Sequence, residues 1–362
     1  MKFALLQVMQ NWHHDLTDQE MYQGEIEMAI NADKLGFDSL WTVEHHFEPY
    51  GMCPDNMQYL SYIAARTEQI KLVPGAIILP WNDPLRVIEK MSMLQAFAPG
   101  RVGLGVGRGL AKSEYRGMRQ DMNESRQRFD EAAEMILRGL DTGIGEGNGN
   151  FYTQPAVDIR PKPARSYYND LHCVAMSPDS AMAAADLGAT MMTFIQHEFS
   201  NHVAGIEAWR ERFAGAHPDV PIPPVMLTDV TLCHEDEEEA ERMAHEYIGQ
   251  HFSSVMEHYD FAGDHFKDTK GYEAYQQGAD LIKAAGLENA RTAYINAQNW
   301  GTPEQIVEKY AERQKLIGEF NPMVVLSYAN MSFAESQNSL RLFAEKVRPL
   351  AEKLTKKTPA RV

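Results

Sequence analysis

Cysteine is scarce in this sequence. Cys53, Cys173 and Cys233 are the only three in 362 residues, far apart and without any C-x-x-C spacing. That excludes a disulfide framework and a thiolate zinc site, and it fits a reducing compartment. Positive charge is short as well: 34 Lys and Arg stand against 51 Asp and Glu, a formal net charge of −17. A surface so acidic repels phosphate backbones and anionic membranes, so nucleic acid and lipid are poor partners. No apolar run approaches the roughly 18 residues of a membrane span. Met1 to Gln10 is a short alternating run that meets Asn11, Trp12 and His13, which reads as a first strand and not as the core of a signal peptide. What is present, 44% hydrophobic and 23% charged residues, is the composition of a globular chain with a sizeable core. A cytoplasmic, enzyme-sized protein is expected.

The pattern along the chain repeats. Phe3 to Met9 reads as a strand, and Thr17-Asp18-Gln19-Glu20 opens a helix closed by Gly36. Strands at about 37–43, 70–79, 102–106, 172–175, 190–195, 225–232 and 322–328 follow, each leading into a helix; those near 84–97, 125–140 and 178–187 are the clearest. Eight strand-then-helix units imply parallel strands closed into a single (β/α)8 TIM barrel spanning 1–362, with an open doubly wound sheet as the alternative. Two stretches break the repeat. About 141–163 reads as an irregular hairpin, and about 255–300, rich in Tyr, Gly, Asp and Lys, as either surface or a lid over the site with Lys267 and Lys270 turned inward.

In such a barrel the chemistry lies just after each strand. The adjacent His45 and His46 follow the second strand, and His13 and His14 follow the first, yet no pair of histidines has metalloprotease spacing: His197 and His202 are five apart. No metal site is expected. The run Gly103-Leu104-Gly105-Val106-Gly107-Arg108-Gly109 lacks the third glycine of a dinucleotide fingerprint because Arg108 stands there. Its small residues leave room for a flat ligand, while Arg108 and Arg126 offer planar donors, and Ser177 and Ser180 flank a helix start where N–H groups are unpaired. One phosphate held by both arginines and that helix is one reading. The other pairs the arginines with Glu124, Asp121 or Asp130 and leaves the serines as caps.

The segments Trp41 to Gly51, Gly75 to Pro80, Gly100 to Leu110 and Asp121 to Arg126, with Ser177 to Gly188, resemble the luciferase-like flavin monooxygenases in order and spacing over roughly the first 200 residues, and more loosely from Gly301-Thr302-Pro303-Glu304 to the end. The resemblance implies an enzyme that takes reduced FMN from a separate flavin reductase, reacts it with O2 to a flavin peroxide and oxygenates a small organic substrate such as an aldehyde, ketone or terpenoid. It also implies pairing with a second chain, identical or different. Carried over by position, Arg108, Arg126, Ser177 and Ser180 match phosphate contacts. Gly75-Ala76 matches a non-prolyl cis peptide beneath the flavin, and His45 matches an acid/base residue with His46 as its neighbour. The same comparison places Glu44, Gly107, Leu110, Ala175 and Met176 in the cofactor pocket, and Trp41 and Phe47 beside it or toward the substrate. Two positions depart: Met176 falls where light-emitting members have an acidic residue, and Gly107 where they have a reactive cysteine. A hydride-transferring relative using a deazaflavin and a non-catalytic partner subunit are the alternatives; retention of His45, both arginines and both serines argues against the latter.

Overall fold

The computed structural model describes residues 1–13 and 16–355. Strands β1 (Ala4–Gln7), β2 (Ser39–Thr42), β3 (Lys71–Pro74), β4 (Ile77–Ile78), β5 (Leu104–Gly107), β6 (Ile144–Asn148), β7 (Thr153–Asp158), β8 (Leu171–Val174), β9 (Thr190–Phe194), β10 (Val225–Cys233), β11 (Asn299–Gly301) and β12 (Phe320–Val325) alternate with helices. Nine of them lie side by side in the order β3-β2-β1-β12-β10-β9-β8-β5-β4. The pairs between them are all parallel. β3 and β4 are two halves of one pass, split by the cis Gly75-Ala76 peptide, and β3 meets β5 across a bridge from Leu72 to Val102. The sheet is thus nearly closed into a barrel of eight passes, as the count of strand-then-helix units predicts. No helix among the described residues is long and apolar enough to cross a membrane.

Strands of such a barrel are buried on both faces, which is why they read as continuous apolar runs. Leu6, Val43, Val73, Val230, Met323 and Val325 fill the interior with Trp41, while Leu5, Leu40, Leu72, Leu227 and Val324 face the helices. Local signals place the helices. Thr17 and Glu20 form a reciprocal cap on the helix Asp18–Lys34, and Asp83 with Pro84 starts Pro84–Phe97. The unit after β10 differs from the sequence reading. The helix packed between its neighbours on the barrel wall is Pro303–Ile317, not the charged stretch at Glu235. Arg313 on that helix makes two bonds, of 2.6 and 2.7 Å, to the Asp229 carboxylate on β10, both side chains being buried.

The stretch 141–163 holds the antiparallel hairpin β6–β7. The stretch 255–300 is largely helical: the helix Gly249–His258 runs into it, followed by Glu273–Ala285 and Leu287–Ala297. Its Phe261, Phe266, Tyr272 and Ala279 pack with Tyr115 and Met122 from the barrel side.

Glu25 is buried against β1, where Gln7 Nε2 donates to it at 2.6 Å and Tyr59 donates to Gln7. Burial pushes its carboxyl up to about 7, against the bonds from Ser327 and Gln7. A raised carboxyl favours the protonated fold, so stability falls as pH rises from about 4.5 to 7. Glu25→Gln is expected to be more stable than the parent at pH 8 by about 2–3 kcal/mol and equal to it near pH 4. Urea unfolding at the two pH values checks this; a gap that does not change with pH contradicts it.

Candidate active site

A cavity opens at the C-terminal ends of the strands, walled by Val8, Val43, Gly75, Ala76, Gly107, Val174 and Phe194 and covered by Tyr259, Tyr275 and Tyr294 from the later helices. Its floor is the cis Gly75-Ala76 peptide. A Cβ at Gly75 would lie 2.8 Å from the Trp41 ring, so only glycine lets the chain cross there. Gly75 N–H donates to Thr42 O, and Asn56 Nδ2 holds Ala76 O at 3.0 Å. Gly107 leaves its side open: a Cβ there would already touch Ala76 and Ile78. Together these make a flat slot.

At one end of the slot stands His45. Its Nδ1 lies 2.9 Å from Glu114 Oε1, which also accepts the His46 backbone N–H at 2.8 Å. Gly51 permits this, since a Cβ on it would come 2.9 Å from the His45 side chain. Burial alone would push Glu114 up, yet the His45 ring and its hydrogen bond, with His258 and the His46 N–H, hold it below the usual carboxylate range. An ionised Glu114 fixes the proton on Nδ1 and leaves Nε2 as the working nitrogen. Behind them His258 stacks on Tyr50, centroids 4.1 Å apart and 9° from parallel. Burial, then the neighbouring His45, pushes His258 down to about 3. One ligand atom each from His45, Glu114 and His258 falls within a 4.8 Å group. Of the histidines after the first strand, His13 is exposed and His14 lies outside the described residues.

At the other end are the arginines. Arg108 is buried; its Nη2 donates to Gly271 O at 2.8 Å, its plane lies 4.2 Å from the Tyr272 ring centroid, and its Nη1 has no hydrogen-bond partner. Arg126 Nη2 donates to Asp179 at 2.7 Å and approaches Ser180 Oγ at 3.5 Å, with its Nε unpartnered. Ser177 caps the helix Pro178–Asp186 by accepting from Ser180 N–H, and its hydroxyl meets that of Ser180 at 3.0 Å. Donors from two guanidiniums, two hydroxyls and one helix start converge there.

The slot, the His45 imidazole, Arg108 and Ser180 line one cavity. Residues 1–319 match the luciferase-like monooxygenase family. The chain belongs to that family. It is 27% identical over 337 residues to an alkanal monooxygenase alpha chain of Photobacterium leiognathi, covering 91% of this chain and 94% of that one. It is 25% identical to the oxygenase component of a flavin-dependent trigonelline monooxygenase of Acinetobacter baylyi, with 71% and 73% covered. The FMN complex of the oxygenating constituent of 3,6-diketocamphane monooxygenase from Pseudomonas putida has the same fold, with a TM-score of 0.74, 18% identity, and 96% and 98% covered. A luciferase-like monooxygenase is an oxidoreductase, and the barrel is the scaffold of one.

In this luciferase-like monooxygenase the expected residues divide between the cavity wall and the layer behind it. Glu44 reaches the cavity wall, but its carboxylate is taken by Ile78 N–H, Trp81 Nε1, Asn82 Nδ2 and His46 Nε2; it pins the chain after β4. His46 is therefore turned away from the slot. Trp41 lies under the floor against His172, because the period of β2 sends it into the barrel beneath Gly75. Phe47, at φ 69°, is 66% exposed and covers Gly117. Ala175 is buried behind the wall, whereas Leu110 and Met176 line it. The Met176 sulfur accepts Phe194 N–H, a neutral contact. Arg126 does pair with Asp130, at 3.6 Å, but its main partner is Asp179, and Glu124 pairs with Arg128. Lys267 bonds Asp264 and, like Lys270, faces outward. Glu114, Asp179, Tyr50, His258 and the covering tyrosines were not singled out by the sequence. Only Glu114, in the first turn after the glycine run, gave a local signal.

Proposed function

We propose that the protein is the oxygenase of a two-component system, binding reduced FMN from a separate flavin reductase and using O2 to oxygenate a small hydrophobic substrate. The observation that carries the reading is the buried Nη1 of Arg108, which makes no hydrogen bond and has only the exposed Asp179 carboxylate 3.7 Å away, beside the start of Pro178–Asp186, a set of donors that a phosphate dianion would complete. The residues present fit FMN: Arg108, Arg126, Ser177 and Ser180 would hold its phosphate, Gly75, Ala76 and Gly107 would leave room for its flat ring, and His45 would supply the acid/base group beside it. Bound and reduced, FMN supplies the electrons that activate oxygen. The chain does the rest. His45 Nε2 moves a proton at the reacting edge while Glu114 sets its tautomer, and the tyrosine roof keeps water out. The chain named as an oxygenase component among its relatives supports a reductase partner.

Losing one guanidinium from a charge-assisted contact is expected to weaken FMN by about 1.5–3 kcal/mol in Arg108→Ala and in Arg126→Ala. Asp179 competes for the same donors, and Asp179→Asn is expected to tighten FMN about threefold to tenfold. Fluorescence titration reads all three. Two arginine variants that bind like the parent would remove the phosphate assignment, and tighter binding of a deazaflavin with no oxygen uptake would replace the FMN reading with hydride transfer.

The helices over the cavity form the lid of this reading. Beneath them a second, mostly apolar chamber of about 640 Å³ shares Met176, Gln196, Val255, Tyr275 and Tyr294 with the first; it suits the remote body of the substrate. A Cβ at Gly278 would meet nothing within 4 Å, so Gly278→Phe places its ring in that space. The expected result is a KM raised about tenfold or more for larger substrates, with FMN affinity kept and FMN protecting 259–287 from limited proteolysis. Unchanged KM values and unchanged cleavage would take the lid and chamber out of the mechanism.

A further inference from the structure

The cavity is roofed, yet the imidazole inside it has to exchange a proton with solvent once per turnover. A line of titratable groups runs from His45 to the surface by another way. His45 Nδ1 lies 2.9 Å from Glu114 Oε1, Glu114 Oε1 lies 3.8 Å from His258 Nε2, and His258 Nδ1 lies 2.7 Å from Glu48 Oε2. The Glu48 side chain is 34% exposed and that of His258 is fully buried. These residues come from the loop after β2, the helix Lys112–Gly117 and the end of the helix Gly249–His258.

We infer that Glu48, His258 and Glu114 form a proton path between solvent and His45, an inference that rests on the reading of His45 as the proton-handling group. The unsatisfied atom points to it. His258 Nε2 is buried without a hydrogen-bond partner, which a ring present only for packing would not need to leave on the side of Glu114. The groups around His258 are His45, Glu48, Tyr50, Glu114 and Tyr259, two of them acids that can take and return a proton. Held far below its ordinary value by burial, the ring stays neutral and passes a proton by exchanging tautomers.

The step balances. A proton taken from the cavity by His45 Nε2 lets the proton on Nδ1 pass to Glu114; Glu114 gives it to His258 Nε2 as the proton on His258 Nδ1 passes to Glu48, which releases it to solvent. Return of the rings to their first tautomers resets the path, and the net change is one proton carried. One water or a shift of under 1 Å closes the 3.8 Å gap. His258 and Glu48 act through Glu114 and are positioning residues in this scheme.

The experiment follows exchange of the His45 Nδ1 proton with solvent by nitrogen-15 imidazole NMR, in the full chain loaded with oxidised FMN. His258→Phe keeps the stack on Tyr50 and removes both nitrogens; Glu48→Gln changes only the surface end. Exchange is expected to slow about tenfold or more in each, with kcat lowered and KM for reduced FMN unchanged. Exchange at the parent rate in both variants overturns the path. So does a stoichiometric divalent ion found on His45, Glu114 and His258 by metal analysis. Should His258→Phe not fold, Glu48→Gln decides alone. Should the parent bind no FMN, the cofactor reading fails on its own titration, and the exchange rates are compared in the cofactor-free protein.

Discussion

His45→Ala is expected to fold, to bind FMN as the parent does and to lose about 10²–10⁴-fold in turnover, the range for removal of a positioned acid or base. The geometry makes the loss specific. Glu114 takes the Nδ1 side at 2.9 Å, which leaves Nε2 as the free nitrogen of a ring that lines the same cavity as Gly75, Ala76 and Gly107. Glu114→Gln keeps a hydrogen bond but not the charge, and it is expected to give a smaller loss with a displaced pH profile. The competing role is packing, since the His45 ring lies 4.9 Å from both Tyr50 and His258. In that case His45→Ala lowers the melting temperature while the folded fraction turns over at the parent rate. Product formed per oxygen consumed, measured beside a thermal melt, separates the two, and parent-level coupled turnover would end the catalytic role.

Arg313→Met is expected to cost about 3–5 kcal/mol of stability. The bidentate pair with Asp229 is dry on both sides. Taking away the guanidinium leaves a carboxylate inside the barrel wall with no route to water, and the same holds in reverse for Asp229→Leu. Replacing both at once removes the stranded charge, and the double variant is expected to recover most of the loss. Urea midpoints of the two single variants and the double one check this. Additive losses would mean that the residues do not act as a pair.

Much of the barrel was legible because its strands are continuous apolar runs and its helices carry their own punctuation. The helix Pro84–Phe97 has the expected ends because Asp83, Pro84 and the turn before Gly100 define them. The slot was legible for a related reason: glycines and an arginine at a strand end have few other uses. What the sequence hides is direction and distance. Trp41 and His46 stand where neighbours of the pocket are expected, and it is their direction, Trp41 under the floor and His46 toward Glu44, that only the strand period and that hydrogen bond settle. Asp179 sits between the two serines and reads as a helix-start acid, while in space it is the main partner of Arg126. His258 and the roof tyrosines approach from more than 200 residues later in the chain, through a stretch without strand or barrel-helix periodicity, so no local rule assigns them.

The bond from Arg108 to Gly271 O joins the anion end to the covering helices through one side chain. A guanidinium so shared ties two events together: by reciprocity, whatever factor a seated cover adds to the hold on a phosphate, the phosphate adds to the seating of the cover. If FMN is the ligand, as proposed, the same side chain links release of the cofactor to lifting of the cover, so a variant that loses the Arg108 bond to Gly271 is expected to loosen both together.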